Sequence, residues 1–216
     1  MQIEYEEFLC GSTLLLLSRA LSKQERSDVL DTQLFARLKA DSECSMFLDY
    51  EGWLAVHREA QSALGWLVSA QRYRIERDVY CGVSKPVEDF TEALVALVST
   101  LSRCRVRDVL QRFIELPTQH HVKQSLIRSG SQSTKGCSQL ALGIVVVEPG
   151  PVLLGGNLLL ESSQTFQDLC LGLLKGSIHT SLYTAELHES TFATIREDLA
   201  MMMRSERDSS MTSIDV

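Results

Sequence analysis

One short stretch does most to constrain how this chain can fold. Ser129-Gly-Ser-Gln-Ser-Thr-Lys-Gly-Cys-Ser-Gln139 carries almost no apolar side chain, and the hydrophobic pattern changes across it. Before it, apolar residues recur three and four positions apart, the spacing of a helix face. After it they come in continuous β-branched runs, which suit buried strands. The expected class is therefore α+β: a predominantly helical N-terminal bundle, then a small three-stranded, at least partly antiparallel sheet with two helices. The expected divisions are a helical region over 1–128, a flexible Ser/Gly-rich loop over 129–139, a small α/β region over 140–204 in ββαβα order, and a polar tail over 205–216.

Local signals place the helices. A first helix is expected from Ile3 to Leu21 around the Leu14–Leu17 cluster. Ser22-Lys-Gln-Glu25 matches a capping box and opens a second helix. Asp49 caps a third, which is expected to run on through Arg72-Tyr-Arg-Ile-Glu-Arg77 until Cys81-Gly-Val-Ser-Lys-Pro86 breaks it. Pro86 fits the first turn of the next helix, where Val87, Phe90, Leu94, Leu97 and Leu101 form a stripe. Val106, Val109, Leu110 and Phe113 repeat the template before Pro117, and a short helix follows to Arg128. Beyond the polar loop, 140–147 and 152–160 read as strands around a Glu148-Pro-Gly-Pro151 turn, with a bulge expected at Gly155-Gly156. Residues 165–174 read as a helix ended by Gly176, Ser177–Glu186 as a third strand, and Ser190–Arg204 as a last helix.

The N-terminus is acidic where a signal peptide would be basic, and no apolar run approaches the ~20 residues of a spanning helix, so a cytoplasmic protein is expected. The six cysteines stand 23 to 37 residues apart with no C-x-x-C. That spacing argues for free thiols and against a zinc ribbon or a thioredoxin-type site. Gly130–Gly136 with Lys135 resembles a phosphate loop only loosely, because the lysine precedes the second glycine and a strand follows. No metal or cofactor is implied.

The most asymmetric feature is basic. Arg103, Arg105, Arg107, Arg112, Lys123, Arg128 and Lys135 face only Asp108 and Glu115 in that segment, within a chain of net charge −7. They are candidate contacts for an acidic partner or, less favoured, for nucleic acid. The overall acidity and the lack of aromatics for base stacking count against nucleic acid. Arginines bordering an apolar stripe also commonly lay their stems on the core edge. The alternative site is His179 and His188 with Glu186, two imidazoles flanking one strand, which would need further converging groups to do acid–base chemistry.

With no reactive constellation visible, the sequence reads as an intracellular interaction protein (an adaptor, regulator or assembly component). A protein partner is expected, and a homo-oligomer is preferred because edge strands invite pairing.

Overall fold

The computed structural model describes residues 4–164, 166 and 173–214. Its centre is one mixed sheet of eight strands with helices on both faces. In chain order the elements are β1 (Tyr5–Cys10), β2 (Thr13–Ser18), α1 (Lys23–Glu43), α2 (Tyr50–Ala63), β3 (Trp66–Gly82), α3 (Ser84–Val95), α4 (Arg103–Glu115), α5 (His121–Gly130), β4 (Ser131–Thr134), β5 (Cys137–Glu148), β6 (Val152–Ser162), β7 (Leu173–Leu187), α6 (Glu189–Phe192), α7 (Arg196–Ser210) and β8 (Met211–Ile214). The strand order is β3-β7-β6-β5-β2-β1-β8, with β4 pairing on β5. All pairings are antiparallel except β2 with β5, which sets Leu14 beside Ile144.

The expectation of a helical bundle followed by a three-stranded sheet is overturned, and the reason lies in the first half of the chain. Residues 5–18 form a hairpin, not a helix, with Cys10 opposite Thr13 across the Gly11-Ser12 turn. Leu14, Leu15, Leu16 and Leu17 are all fully buried. Four successive buried residues suit a central strand covered on both faces, where each side of the pleat meets a hydrophobic layer. Leu14 and Leu16 join one core cluster; Leu15 and Leu17 join the other.

The second departure is β3. Helix α2 begins at Asp49, whose side chain accepts from the Gly52 amide, but it stops at Ala63. Gly65 follows at φ +87, a conformation glycine adopts without cost, and turns the chain into β3. The charged run 72–77 is therefore extended, with 72–76 paired to 178–182, rather than continuing a helix.

Elsewhere several local signals hold, but α3 ends at Val95, leaving Leu101 of the expected stripe 86% exposed, and the last helix, expected over Ser190–Arg204, is split into α6 and α7 with α7 running to Ser210. Ser22 and Glu25 make the reciprocal capping box. Pro86 sits in the first turn of α3, α4 stops before Pro117, and α5 covers the short helical piece. The three expected strands correspond to β5, β6 and β7. The helix expected over 165–174 lies outside the described residues apart from Phe166, Leu173 and Leu174. The last two open β7, and Gly176 lies within that strand instead of closing a helix. No bulge occurs at Gly155-Gly156; β6 stays in register with both neighbours. A Cβ on Gly155 would stand 2.3 Å from the Tyr183 ring, and one on Gly156 2.7 Å from the Phe90 ring. The paired glycines let an aromatic lie flat on each face of the sheet. Residues 131–134 form β4, and 211–214 form β8 against β1.

The two helical layers cover opposite faces. On one, α3, α4 and α5 place Val87, Phe90, Leu94, Val106, Leu110, Phe113 and Leu126 over Leu16, Leu142, Ile144, Leu158 and Leu160. On the other, α1 and α7 cover Leu15, Val145, Val147 and Leu153, while α2 sets Trp53 and Leu54 on Ala141 and Leu159. Each fully buried leucine contributes about 1.5–3 kcal/mol.

Candidate functional site

The long strands β3 and β7 form a ribbon at one edge of the sheet, and the side chains with most chemical potential lie along it. β3 spans 17 residues and β7 15. Irregular register between Val68 and Ala70 and between Glu76 and Val79 interrupts their pairing. Asp78, at φ +55, sits in the second of these bulges. Leu67 and Tyr80 are 56% and 70% exposed, in contrast to the sealed centre of the sheet.

One face of the ribbon meets α3 across an apolar cavity of about 310 Å³. Val79, Phe90, Ile178 and Leu182 line it, and Arg72, Arg74, Lys85, Glu76 and Asp89 surround them. Cys81 also reaches this cavity. Burial pushes its thiol up, so it stays protonated and is no activated nucleophile.

The other face carries His179. Because side chains alternate along a strand, Ser177 and His179 point the same way, and Glu161 of β6 lies directly opposite Ser177. Ser177 Oγ donates to Glu161 Oε2 at 2.5 Å. The His179 Nε2 atom lies 3.3 Å from Ser177 Oγ and 3.5 Å from Glu161 Oε2. On its other side, His179 Nδ1 is 3.2 Å from the Tyr73 hydroxyl of β3, which donates to Glu51 of α2 at 3.3 Å. Gln139 of β5 donates to Glu161 at 2.8 Å, and Tyr50 meets the imidazole edge-on.

The electrostatics fix the roles. Burial raises the Glu161 carboxyl, but hydrogen bonds from Ser177, Gln139 and His179 outweigh it and hold the group below the ordinary range. Burial, reinforced by Glu51, pushes Tyr73 up to about 12. Glu161 is thus a carboxylate and Tyr73 a neutral phenol near neutral pH. The serine proton is committed to the carboxylate, and the imidazole reaches a carboxylate on its far side only through the phenol. The triad logic needs a hydroxyl donating to a base that an acid orients. Here the cluster instead ties α2, β3, β6 and β7 together.

His188 stands nine residues further along the chain, roughly 30 Å away at the usual rise per residue. It closes the β7–α6 turn, with Thr191 Oγ1 at 2.9 Å and Ser190 Oγ at 3.2 Å from its Nδ1. Glu186 is exposed, on the opposite side of β7 from His179. The structure therefore separates the three residues expected to converge. The partners of His179 come from β3, β6 and α2, and the only sequence signal for them is the polar alternation Ser177-x-His179-x-Ser181. Among the described residues, no group of three or more His, Cys, Asp or Glu could hold a metal ion.

The basic segment is likewise dispersed. Arg107 makes two 2.8 Å bonds to Glu92 of α3, and Arg112 reaches Glu7 of β1 at 3.4 Å. Arg103 donates to the Ala96 and Val98 carbonyls, and buried Lys123 to the carbonyls of Ile114 and Leu116, capping the end of α4. Arg105 and Arg112 share a shallow depression with Arg19, Glu6 and Glu7. Arg128 and Lys135 are exposed on α5 and the β4–β5 turn.

No protein-family model and no curated protein matches the chain. Solved structures do. A delta-endotoxin superposes with TM-score 0.51 at 13% identity, covering 83% of this chain and 85% of that one. The activated Cyt2Ba monomer from Bacillus thuringiensis subsp. israelensis superposes with TM-score 0.54 at 9% identity, covering 83% of this chain and 99% of that one. This likeness in fold, with the eight-stranded sheet, overturns the expected helical bundle and with it the reading of an intracellular adaptor or regulator that was built on that architecture. What this chain shares with them is a fold: a large mixed sheet held between two helical layers.

Proposed function

We infer that this chain is a toxin-like protein that acts on lipid membranes through its sheet. The observation that carries the reading is the length and two-sided apolarity of the strands. β5, β6 and β7 span 12, 11 and 15 residues. A tilted strand needs about 9–11 residues to cross a bilayer core. Leu140, Leu142, Ile144 and Val146 face one layer, and Ala141, Val145 and Val147 face the other. In water both faces require a helical cover. In lipid the acyl chains replace that cover, provided the strand edges pair. Among the described residues no helix is long and apolar enough to cross a membrane. The likeness in fold to a delta-endotoxin supports the same reading.

The test is release of an encapsulated dye from phosphatidylcholine vesicles, with and without anionic lipid, read together with tryptophan depth. The tryptophans are Trp53 on α2 and Trp66 at the start of β3. In Trp53→Phe the remaining emission reports β3. Dye release accompanied by quenching of Trp66 by brominated acyl chains is expected. Intact vesicles and unquenched emission in both lipid mixtures would overturn the reading.

A further inference from the structure

The two rims of the sheet are unlike. β8 is four residues long, whereas β3 is 17, and among the described residues β3 pairs with β7 alone. An open strand edge presents unpaired amides and carbonyls, and proteins commonly blunt it with proline, shortness or charge. β3 has no proline. It runs in regular register from Ala70 to Glu76 between its two irregularities. Its charges are the usual protection, but their order matters.

Consider two copies of this strand pairing antiparallel about a two-fold axis normal to the sheet. Opposed residues must then lie on the same face, so the axis passes a single residue and its own copy. An axis at Arg72 or Arg74 sets that arginine against itself, and an axis at Tyr73 sets Arg72 against Arg74. An axis at Glu76 opposes the two glutamates. An axis at Gln71 opposes no charges of either sign. Only an axis at Ile75 places Arg74 of each copy opposite Glu76 of the other and leaves no like charges in contact along the regular segment. Arg74 and Glu76 are free to change partners, since their mutual contact within the strand, at 3.3 Å, is solvent-exposed and worth little. Tyr73 is 40% exposed, so the central segment also offers apolar surface to cover.

We propose that β3 is a self-recognition edge: a second copy of this chain pairs antiparallel with it about Ile75, so that one sheet runs through a two-fold dimer. The interface is isologous, using the same edge of both copies, and so closes at two; among the described residues the opposite rim offers only the four-residue β8. This assembly forms in water and does not depend on membrane action.

The experiment is analytical ultracentrifugation of the full chain in reducing, lipid-free buffer at about 50 μM. The wild type is expected to sediment as a dimer. Arg74→Glu and Glu76→Arg each put like charges opposite one another and should weaken dimerisation roughly tenfold or more, while the combined R74E/E76R chain regains it. Independently, Ile75→Cys should oxidise to a reducible covalent dimer beyond the background of the parent thiols, whereas Tyr80→Cys should not. A monomeric wild type, or a dimer indifferent to the single reversals, would overturn the proposal. So would equal cross-linking by the two cysteine variants.

Discussion

The two helical layers face the same sheet but are built differently. The α3–α5 layer is joined to the sheet by an almost wholly apolar cluster. The α1–α2–α7 layer buries Asp28, Asp31, Gln33, His57 and Gln61 as well. Asp28 is bonded by Arg196, and Asp31 by Arg207, both from α7. Burial still raises Asp31 despite its arginine. His57 stacks on Trp53 with ring centroids 5.1 Å apart, beside a small polar cavity shared with Gln33, Arg37 and Tyr183. Gln61 donates to Gln33 at 3.0 Å, yet Gln33 Nε2 and Gln61 Oε1 are buried without a partner among the described residues. One layer is thus held chiefly by apolar packing, with Lys123 its buried charge among the described residues, whereas the other also depends on protonation state.

The comparison breaks most sharply in the apolar layer. Phe90→Ala should cost about 3–5 kcal/mol at any pH between 5 and 8, because the ring fills the space over Gly156 and its loss is one of apolar packing. Urea unfolding at two pH values measures it. A loss that changed with pH would contradict a layer held chiefly by apolar packing.

The polar layer should respond to acid. Burial, with Arg37 and Arg58 nearby, lowers His57 from 6.5 to about 4. The folded pKa thus lies below the unfolded one, and the unfolded chain binds more protons between those values. The His57 contribution is full above pH 6.5 and falls as the pH drops toward 4, by roughly 3 kcal/mol, offset in part by Asp31, whose raised folded pKa favours the folded chain as the pH falls. The loss from Glu161 and Glu92, whose folded pKa values are lowered, begins only at the more acidic end of this window. His57→Phe should flatten the upper part of the pH profile. A slope unchanged by that substitution would move the sensitivity elsewhere.

The smallest effect concerns the glutamine pair. Replacing both Gln33 and Gln61 by Leu removes their hydrogen bond and two unpartnered buried atoms, but also the long 3.5 Å bond from Gln61 to the buried Tyr183 hydroxyl, so the change should stay within about 2 kcal/mol. A loss beyond about 2 kcal/mol would show that the amides hold the layer in place.

How much was legible depended on how far each signal reached. The capping box at Ser22, the proline at 86 and the stripe over Val106–Phe113 act within one or two turns, and each produced the helix it implies. Asp49 marked where α2 starts, but no local rule weighed Gly65 heavily enough to end it. His179 was recognisable as a polar residue on a strand. Its true neighbours, Glu161, Tyr73 and Tyr50, come from three other elements and share no spacing with it.

The sequence by itself determined the helices of the α3–α5 layer, the β5–β6 hairpin and the absence of any familiar reactive motif, because these follow from local periodicity, capping and residue identity. Tertiary structure alone decided that Leu14–Leu17 and Trp66–Gly82 are strands. A run of leucines, or a charged stretch with scattered apolar residues, satisfies helix and strand alike until a neighbour supplies ladder hydrogen bonds and a second face to bury. For β2 that neighbour is β5, which follows it only after five helices and two strands have intervened.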